Sequence, residues 1–429
     1  MILCPIGHTY LPYQQQGIEF AATRSSVLIA DEMGLGKTVQ AIGWMNAHPE
    51  IESVLVVCPA TLKINWRREI DRWLVSPVVE VEIINYDVLH KLDMGNVYDL
   101  VILDEAHYIK SPDARRSMAA KQIQARHRIA LTGTPILNRP VELYGILQWL
   151  KPSLFTDKAK KQFERRYCAG HLKTLRFGRR VKKVWDATGA SNLDELRYKL
   201  NGLMIRRLKA DVLKELPPKR RQIIELSRED ISWVRDLAIA KAEEELAYDI
   251  QVKGLDDTVT AKWDQLSKLR LETAMAKLPA ATQVIFDAIE NSGKVVVFAH
   301  HHDVIDYLVE KLPRAVRVDG RMGQDERQVS VDRFQNDPMV KVFVGQIQAA
   351  GVGLTLTAAS HVIFVELDWT PGLVSQAEDR CHRIGQKASV LVQHLVLEDS
   401  LDAKMAKALV KKQEIIERAL DAQKGAVHV

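Results

Sequence analysis

The stretch Asp31-Glu32-Met33-Gly34-Leu35-Gly36-Lys37-Thr38 decides how the rest of the chain is read. It ends like the loop G-x-x-x-x-G-K-[ST], whose glycines let backbone amides close around a phosphate, but Asp31 stands where the first glycine would be. Its surroundings are those such a loop needs. The apolar run "SVLIAD", Ser26 to Asp31, predicts a buried strand before it, and "GKTVQAIGWMNAH" predicts a helix after it. Backbone N–H groups and a helix N-terminus then converge on an anion. In that geometry Lys37 reaches the terminal phosphates, Thr38 ligates Mg²⁺, and Gly34 and Gly36 admit the close approach. Taken alone, the same letters also fit a plain Gly-Lys-Thr turn.

The alternation continues outward from this loop. "SVLVVCP", "YDLVILDE" and "HRIALTGT" read as further buried strands, with "LKINWRREIDRWL" and "RPVELYGILQWL" as helices between them. Runs this apolar suit parallel strands covered on both faces, which predicts a doubly wound α/β lobe with ligands at the carboxyl ends of its strands. The pattern resumes near Gly293 with "KVVVFAH", "AVRVDG", "VKVFVGQ", "SHVIFVEL" and "VLVQHLVL", interleaved with helical "DVIDYLVEKL", "DERQVSVDRFQ" and "GLVSQAEDRCHRI". The fold class expected is therefore α/β, two doubly wound parallel-sheet lobes with helical insertions between them. The lobes are assigned to 1–152 and 286–429, and a basic helical insertion with a linker around "LPPKRR" to 153–285. "DSLDAKMAKALVKKQEIIERALDAQ" predicts a long terminal helix.

Two further elements carry chemistry. In "LVILDEAHYIK", Asp104 and Glu105 follow an apolar strand, where an acidic pair can hold the water shell of Mg²⁺ and activate an attacking water. A helix cap would need only one small polar residue there. Asp104 is assigned to the metal and Glu105 to the general base. "QAEDRCHRIGQ" spaces Arg380 and Arg383 at i, i+3, which on one helical face lets two guanidinium groups share a ligand and stabilise charge on a transferred phosphoryl group. A surface pair or a salt bridge is the plainer reading of those two residues.

Bulk properties narrow the class. The 429 residues exceed one hydrophobic core, and 47% hydrophobic with 27% charged residues is ordinary for a globular protein. No apolar run approaches bilayer-spanning length, and "MILCPIGHTYLPYQQQG" lacks the basic-then-apolar pattern of a secretory signal. The four cysteines, Cys4, Cys58, Cys168 and Cys381, form no C-x-x-C pair and predict reduced thiols rather than a zinc site. The net charge of +5 hides a basic island. Between Lys158 and Arg221 the net is +14, leaving −9 elsewhere, the footprint of a polyanion partner or of solvated helix faces.

Together these stretches resemble a family. "LPYQQQGIEF", "DEMGLGKT", "CPATLKINW", "LDEAH", "ALTGTP", "MIRRLKADVLKELPPK", "AAGVGLTLTAASHVIFVELDWTPG" and "QAEDRCHRIGQ" stand in the order and spacing of the Swi/Snf-type helicase-like ATPases of helicase superfamily two. These ATPases commonly carry Asp-Glu before the Met-Gly-Leu-Gly-Lys-Thr loop. "VVFAHHHDVIDYL" and "AAGVGLTLTAAS" are most similar to the annealing-helicase branch related to the bacterial protein HepA.

The resemblance implies two RecA-like lobes and roles for matching positions. Gln14 is implied to read adenine, and Gln376 and Gly353 to line the cleft from the second lobe. Lys37, Glu105, Arg380 and Arg383 are implied to be catalytic, with Gly34, Gly36, Thr38 and Asp104 completing the ATP and Mg²⁺ site. Thr132 and Thr134 are implied to couple hydrolysis to motion. Pro59, Thr61, Asn85, Tyr86, His300 and Thr355 are implied to lie along a DNA track. The function expected is that of a DNA-stimulated ATPase that translocates on double-stranded or forked DNA without reading sequence. It is expected to act as a monomer with protein partners unidentified, in the cytoplasm of a bacterium or phage-infected cell, or in a nucleus if eukaryotic. A strand-separating helicase, and a DNA-bound scaffold with a structural ATP site, are the alternatives. His300-His301-His302 does not read as a metal site, because consecutive residues at a strand end diverge. Trp369 suits base stacking or turn packing, and "RFGRRVKKVW" a DNA contact or a solvated hairpin.

Overall fold

The apolar runs flanking the glycine loop form β1 (Ser26–Ile29), β2 (Ser53–Cys58), β4 (Val97–Asp104) and β5 (Gln124–Leu131), with β3 (Glu80–Asn85) at one edge. These elements belong to a computed structural model that describes residues 2–76, 78–136, 139–177, 180–227, 257–350, 354–368, 370–398, 400, 402–403 and 406. The chain divides into two compact units, the first ending at Glu215 and the second beginning at Leu216.

In the first unit a separate antiparallel hairpin, β6 (His171–Phe177) with β7 (Arg180–Asp186), precedes the two-residue strand β8 (Met204–Ile205), which joins the main sheet. That sheet is wholly parallel, in the order β3-β2-β4-β5-β1-β8. Its crossovers carry α2 (Lys37–Asn46), α3 (Lys63–Trp73) and α4 (Arg115–Gln122), while α1 (Pro12–Ala22) precedes β1. Then follow α5 (Leu143–Leu150), α6 (Asp157–Tyr167), α7 (Leu193–Leu200) and the short α8 (Lys209–Val212). The core of this unit packs Leu28, Leu55, Val101 and Leu103 of the sheet against Ile146, Leu147 and Trp149 of α5.

The second unit repeats the architecture with β9 (Lys219–Leu226), the long helix α9 (Asp257–Ser292), β10 (Val295–Ala299), α10 (His302–Lys311), β11 (Ala315–Val318), α11 (Gln324–Asn336) and β12 (Val342–Gln346). It closes with α12 (Ile347–Ala350), β13 (His361–Phe364), α13 (Pro371–Glu378) and β14 (Val390–Leu397). All six strands are parallel, in the order β11-β12-β10-β13-β14-β9. The period of two along β10 is explicit: Val296 and Phe298 enter one core, Val295, Val297 and Ala299 the other. Burial on both faces is what makes such strands read as unbroken apolar runs. Inside this unit Lys277 of α9, fully buried, donates to the Leu395 carbonyl at 2.9 Å and pairs with Asp402, tying the helix to β14.

The two lobes expected from the sequence are thus present. The stretch between them is less purely helical than its composition predicts. Four strands, β6 to β9, lie within it, and "LPPKRR" runs directly into β9 rather than forming a free linker. β9 is an edge strand with most of its side chains exposed, so "KRRQIIEL" carries no apolar signature. "RFGRRVKKVW" folds in the β6–β7 hairpin apart from residues 178–179. The helical reading of "AKAEEELAYDI" and most of the terminal helix fall outside the described residues, as do Gly353 and Trp369. No helix among the described residues is long and apolar enough to cross a membrane.

Candidate functional site

Register places the site. Ile29 of β1 pairs with Leu131 of β5, and Leu131 pairs with Asp104 of β4, so three adjacent strands end at one level. The loops that leave them, Ala30 to Gly36, Glu105 to His107 and Thr132 to Thr134, open side by side at the carboxyl edge, where parallel sheets hold their ligands.

In the first loop Gly34 and Gly36 have φ of 84° and 74°, left-handed conformations that suit glycine. A Cβ on Gly36 would stand 2.4 Å from Gln14 Nε2. Gln14 itself is buried: its Oε1 accepts the Leu11 amide at 3.0 Å and its Nε2 donates to the Leu35 carbonyl at 3.4 Å, which seats α1 on the loop. Lys37 Nζ donates to the Asp31 carbonyl at 3.0 Å and the Glu32 carbonyl at 3.5 Å. Burial lowers the pKa of this ammonium, while Glu105, Asp31 and Asp104 oppose the shift.

Asp104 closes β4, and Glu105 after it takes a left-handed φ of 50°, rare for a side chain of this size and a mark of functional turns. Asp104 Oδ2 accepts the Trp66 indole N–H at 2.8 Å, and Oδ1 accepts the Glu105 amide at 2.9 Å. Burial, and then repulsion from Glu105, push the Asp104 carboxyl up to about 7. Glu105 Oε2 lies 3.3 Å from His107 Nδ1, which lies 3.1 Å from Thr132 Oγ1. The Thr132 hydroxyl oxygen also accepts the Thr134 amide at 3.1 Å. One imidazole therefore joins the proposed base to the loop after β5. Two adjoining buried carboxylates offer oxygen donors of the kind a divalent cation takes, and a cation there would favour their ionised forms. With Thr38 in the first turn of α2, the donor set is all oxygen, the type Mg²⁺ takes.

In the second unit the arginines converge by another route than the sequence suggests. α13 ends at Glu378, so Arg380 and Arg383 do not share a helical face. They lie in the turns beyond it, where the Arg380 amide donates back to the Ala377 carbonyl at 3.2 Å. The Gln386 amide holds those turns by donating to the carbonyls of Ala359 and Cys381 at 2.8 and 3.1 Å. Arg380 Nη1 and Arg383 Nη1 both donate to the Leu354 carbonyl, at 3.4 and 3.3 Å, and Arg383 Nη1 to Thr355 Oγ1 at 2.8 Å. Gln376 is fully buried beside them, its carbonyl accepting from Arg380 Nε at 3.2 Å.

Of the residues implied for a DNA track, Pro59, Thr61, Asn85 and Tyr86 lie at the paired carboxyl ends of β2 and β3 in the first unit, and His300 and Thr355 belong to the second. Pro59 is buried and Thr61 half-buried just after β2, and half-buried Asn85 donates to Asp87 at 3.3 Å. Tyr86 is 2% exposed, stacked on Tyr108, and its hydroxyl donates to the Asp104 carbonyl at 2.8 Å, so it faces the acidic pair. The three consecutive histidines meet three different acids: His301 Nδ1 lies 2.6 Å from Glu366, His302 3.9 Å from Asp319 and His300 4.0 Å from Asp368. Sequence reasoning missed Trp66 and His107. Nothing in "LKINW" announces an indole aimed at a carboxylate 38 residues on, whereas the histidine of "LDEAH" could have been found from its place two residues after the base.

The SNF2-related domain matches residues 13–91 and 81–235, and the helicase conserved C-terminal domain matches 276–385. The chain belongs to the SNF2-related family. This is the family of helicase-like ATPases whose motifs the sequence resembles. A mouse relative, "DNA annealing helicase and endonuclease ZRANB3", is 38% identical over 96% of this chain and 41% of its own. A Xenopus tropicalis relative, "SWI/SNF-related matrix-associated actin-dependent regulator of chromatin subfamily A-like protein 1", is 34% identical over 96% of this chain and 45% of its own. The chain thus spans less than half the length of these relatives. The solved "Sulfolobus solfataricus SWI2/SNF2 ATPase core in complex with dsDNA" is 22% identical, with a TM-score of 0.45 over 99% of this chain and 100% of that one.

Trp66→Phe is expected to keep the fold while removing the indole donor from Asp104. Hydrogen bonds that orient a metal-holding carboxylate are worth about 10- to 100-fold in metal affinity. On the Mg²⁺ role expected of Asp104, the Mg²⁺ concentration giving half-maximal turnover should rise by about that factor, measured by phosphate release across a Mg²⁺ titration.

Proposed function

We propose that the chain is the motor of an ATP-driven DNA translocase. The observation that carries the reading is the level ending of β1, β4 and β5, which gathers Lys37, Asp104, Glu105 and Thr132 at one edge of one sheet. Membership of the SNF2-related family supports it. In the cycle, the loop amides and Lys37 grip the terminal phosphates while Gln14 faces the base. Mg²⁺, held by Thr38 and Asp104, would neutralise charge on the β- and γ-phosphates. Glu105 takes the proton from the attacking water, and His107 fixes the orientation of its carboxylate relative to Thr132. Arg380 and Arg383 of the second unit serve as the pair that stabilises charge developing on the phosphoryl group.

The substrate surface proposed is the phosphate backbone of duplex or forked DNA. The basic island between Lys158 and Arg221 supports a polyanion partner. Phosphate release with and without duplex DNA tests the whole reading. DNA should raise turnover severalfold, and no release with single-stranded, duplex or forked DNA would overturn it. The binding constant should also fall linearly with salt on logarithmic axes, with the same slope for unrelated sequences. A slope that changes with base sequence would show direct readout instead.

A further inference from the structure

The strand β8 is two residues long, yet it fixes a segment of chain against the phosphate loop. Leu28 pairs with Met204 and Ile29 with Ile205. The ladder then runs past the strand ends: the Ala30 amide donates to the Ile205 carbonyl at 2.8 Å and the Glu32 amide to the Arg207 carbonyl at 2.9 Å. Arg207 thereby lies beside Asp31, the residue that replaces the first glycine of the usual loop. Asp31 is fully buried, and a carboxylate there is costly without a partner and opposes a bound polyphosphate.

Arg207 is that partner. Its amide and Nε donate to Asp31 Oδ1 at 3.0 and 2.9 Å, and Nη2 pairs with Oδ2. The same Nη2 donates to Gln40 Oε1 of α2 at 2.8 Å, and Gln40 Nε2 returns to Asp31 Oδ2 at 2.9 Å. Nη1 donates to the Tyr13 carbonyl of α1, one residue before Gln14. One guanidinium therefore joins the head of the phosphate loop, the helix after that loop and the helix that carries Gln14. Gly17 belongs to the same arrangement, since a Cβ there would sit 1.9 Å from Gln40 Oε1 and 2.6 Å from Arg207 Nη2.

We propose that Arg207 is a positioning residue for ATP: through Asp31, Gln40 and the Tyr13 carbonyl it sets the phosphate loop and the Gln14 helix at the spacing one nucleotide needs. The proposal rests on the ATP reading above. Its further content is that the segment leaving the first unit holds the nucleotide loop directly, so displacement of that segment loosens ATP.

The test uses the full chain with saturating duplex DNA and three variants: Arg207→Met, Arg207→Lys, and Asp31→Asn with Arg207→Met, which removes both buried charges together. ATP turnover, binding of a fluorescent ADP, DNA binding and thermal melting are measured on each. Losing hydrogen bonds to a charged group costs on the order of 10- to 100-fold in an equilibrium constant. Arg207→Met should raise KM for ATP and the ADP dissociation constant by about 10- to 100-fold, with kcat and DNA affinity changed far less. Arg207→Lys, which keeps the charge and loses the fork, should fall between. The charge-neutral pair should melt like the wild type yet keep the raised KM, separating positioning from stability. A folded Arg207→Met or charge-neutral variant with KM within about twofold of wild type overturns the proposal. So does failure of all three to fold, which would make the role purely structural. If the wild-type chain itself binds no adenine nucleotide, the ATP reading fails instead.

Discussion

Glu105→Gln is expected to stop turnover while leaving nucleotide and DNA bound. The substitution keeps the shape of the side chain and its reach to His107, 3.3 Å away, but removes the group that can accept a proton from water. General-base catalysis contributes about 10²–10⁴-fold, so DNA-stimulated turnover should fall by that factor. ADP affinity and the melting temperature should hardly move. Lys37→Ala should differ in kind. It removes a buried ammonium whose charged form Glu105, Asp31 and Asp104 favour, so both turnover and nucleotide affinity should drop. Phosphate release and fluorescent-ADP binding on the two variants distinguish these outcomes. Full turnover in Glu105→Gln would remove this residue from the base role.

How far the sequence reveals this site depends on the range of the interaction. The glycine loop, β4 ending in Asp104 and β5 with Thr132 just after it are legible because buried parallel strands are uniformly apolar and the residues after them are not. Strand β3 escapes that signal, since at the sheet edge its exposed glutamates alternate with half-buried Val81 and buried Ile83. β9 escapes for the same reason with more charge. The arginine turn is misread because i, i+3 spacing is shared by a helix face and by tight turns. The end of α13 at Glu378 decides between them, with the Gln386 side-chain amide bonded to the Cys381 carbonyl of the same turn and to the Ala359 carbonyl of another loop. Asp31 shows the limit most clearly. Its sequence position marks a departure from the usual loop, but the partner that makes the departure tolerable lies 176 residues away.

Loss of the Glu378 carboxylate should destabilise the second unit. Glu378 ends α13, two residues before Arg380, and its carbonyl accepts the amides of Cys381 and His382 at 3.2 and 3.4 Å. Its buried carboxylate accepts Lys219 Nζ at 2.9 Å and Arg221 Nη2 at 2.6 Å, with His394 Nε2 at 3.6 Å, while Lys219 also donates to Asp379 at 2.8 Å. Burial would raise the Glu378 pKa, but Lys219 and Arg221 overcome it and hold the group well below the usual carboxylate range. Glu378→Ala removes the shared carboxylate from two cations of β9; Lys219 keeps Asp379 at 2.8 Å and Arg221 is 47% exposed, so the cost is about 1–3 kcal/mol rather than that of a fully stranded buried charge. For a unit of this size that corresponds to roughly 2–12 °C in melting temperature. The Arg380 and Arg383 turn loses one of its ties to β9 at the same time, keeping Asp379 to Lys219, so turnover should fall even below the melting range. Because the folded pKa is depressed, the stabilisation is fully present above the unfolded value of about 4.3 and is lost as pH falls through the lower folded value. The gap between wild type and Glu378→Ala should therefore be constant from pH 6 to 8 and shrink in acid. Melting curves across pH that keep the full gap well below pH 4 would show that cavity formation, not the ion pairs, accounts for the loss.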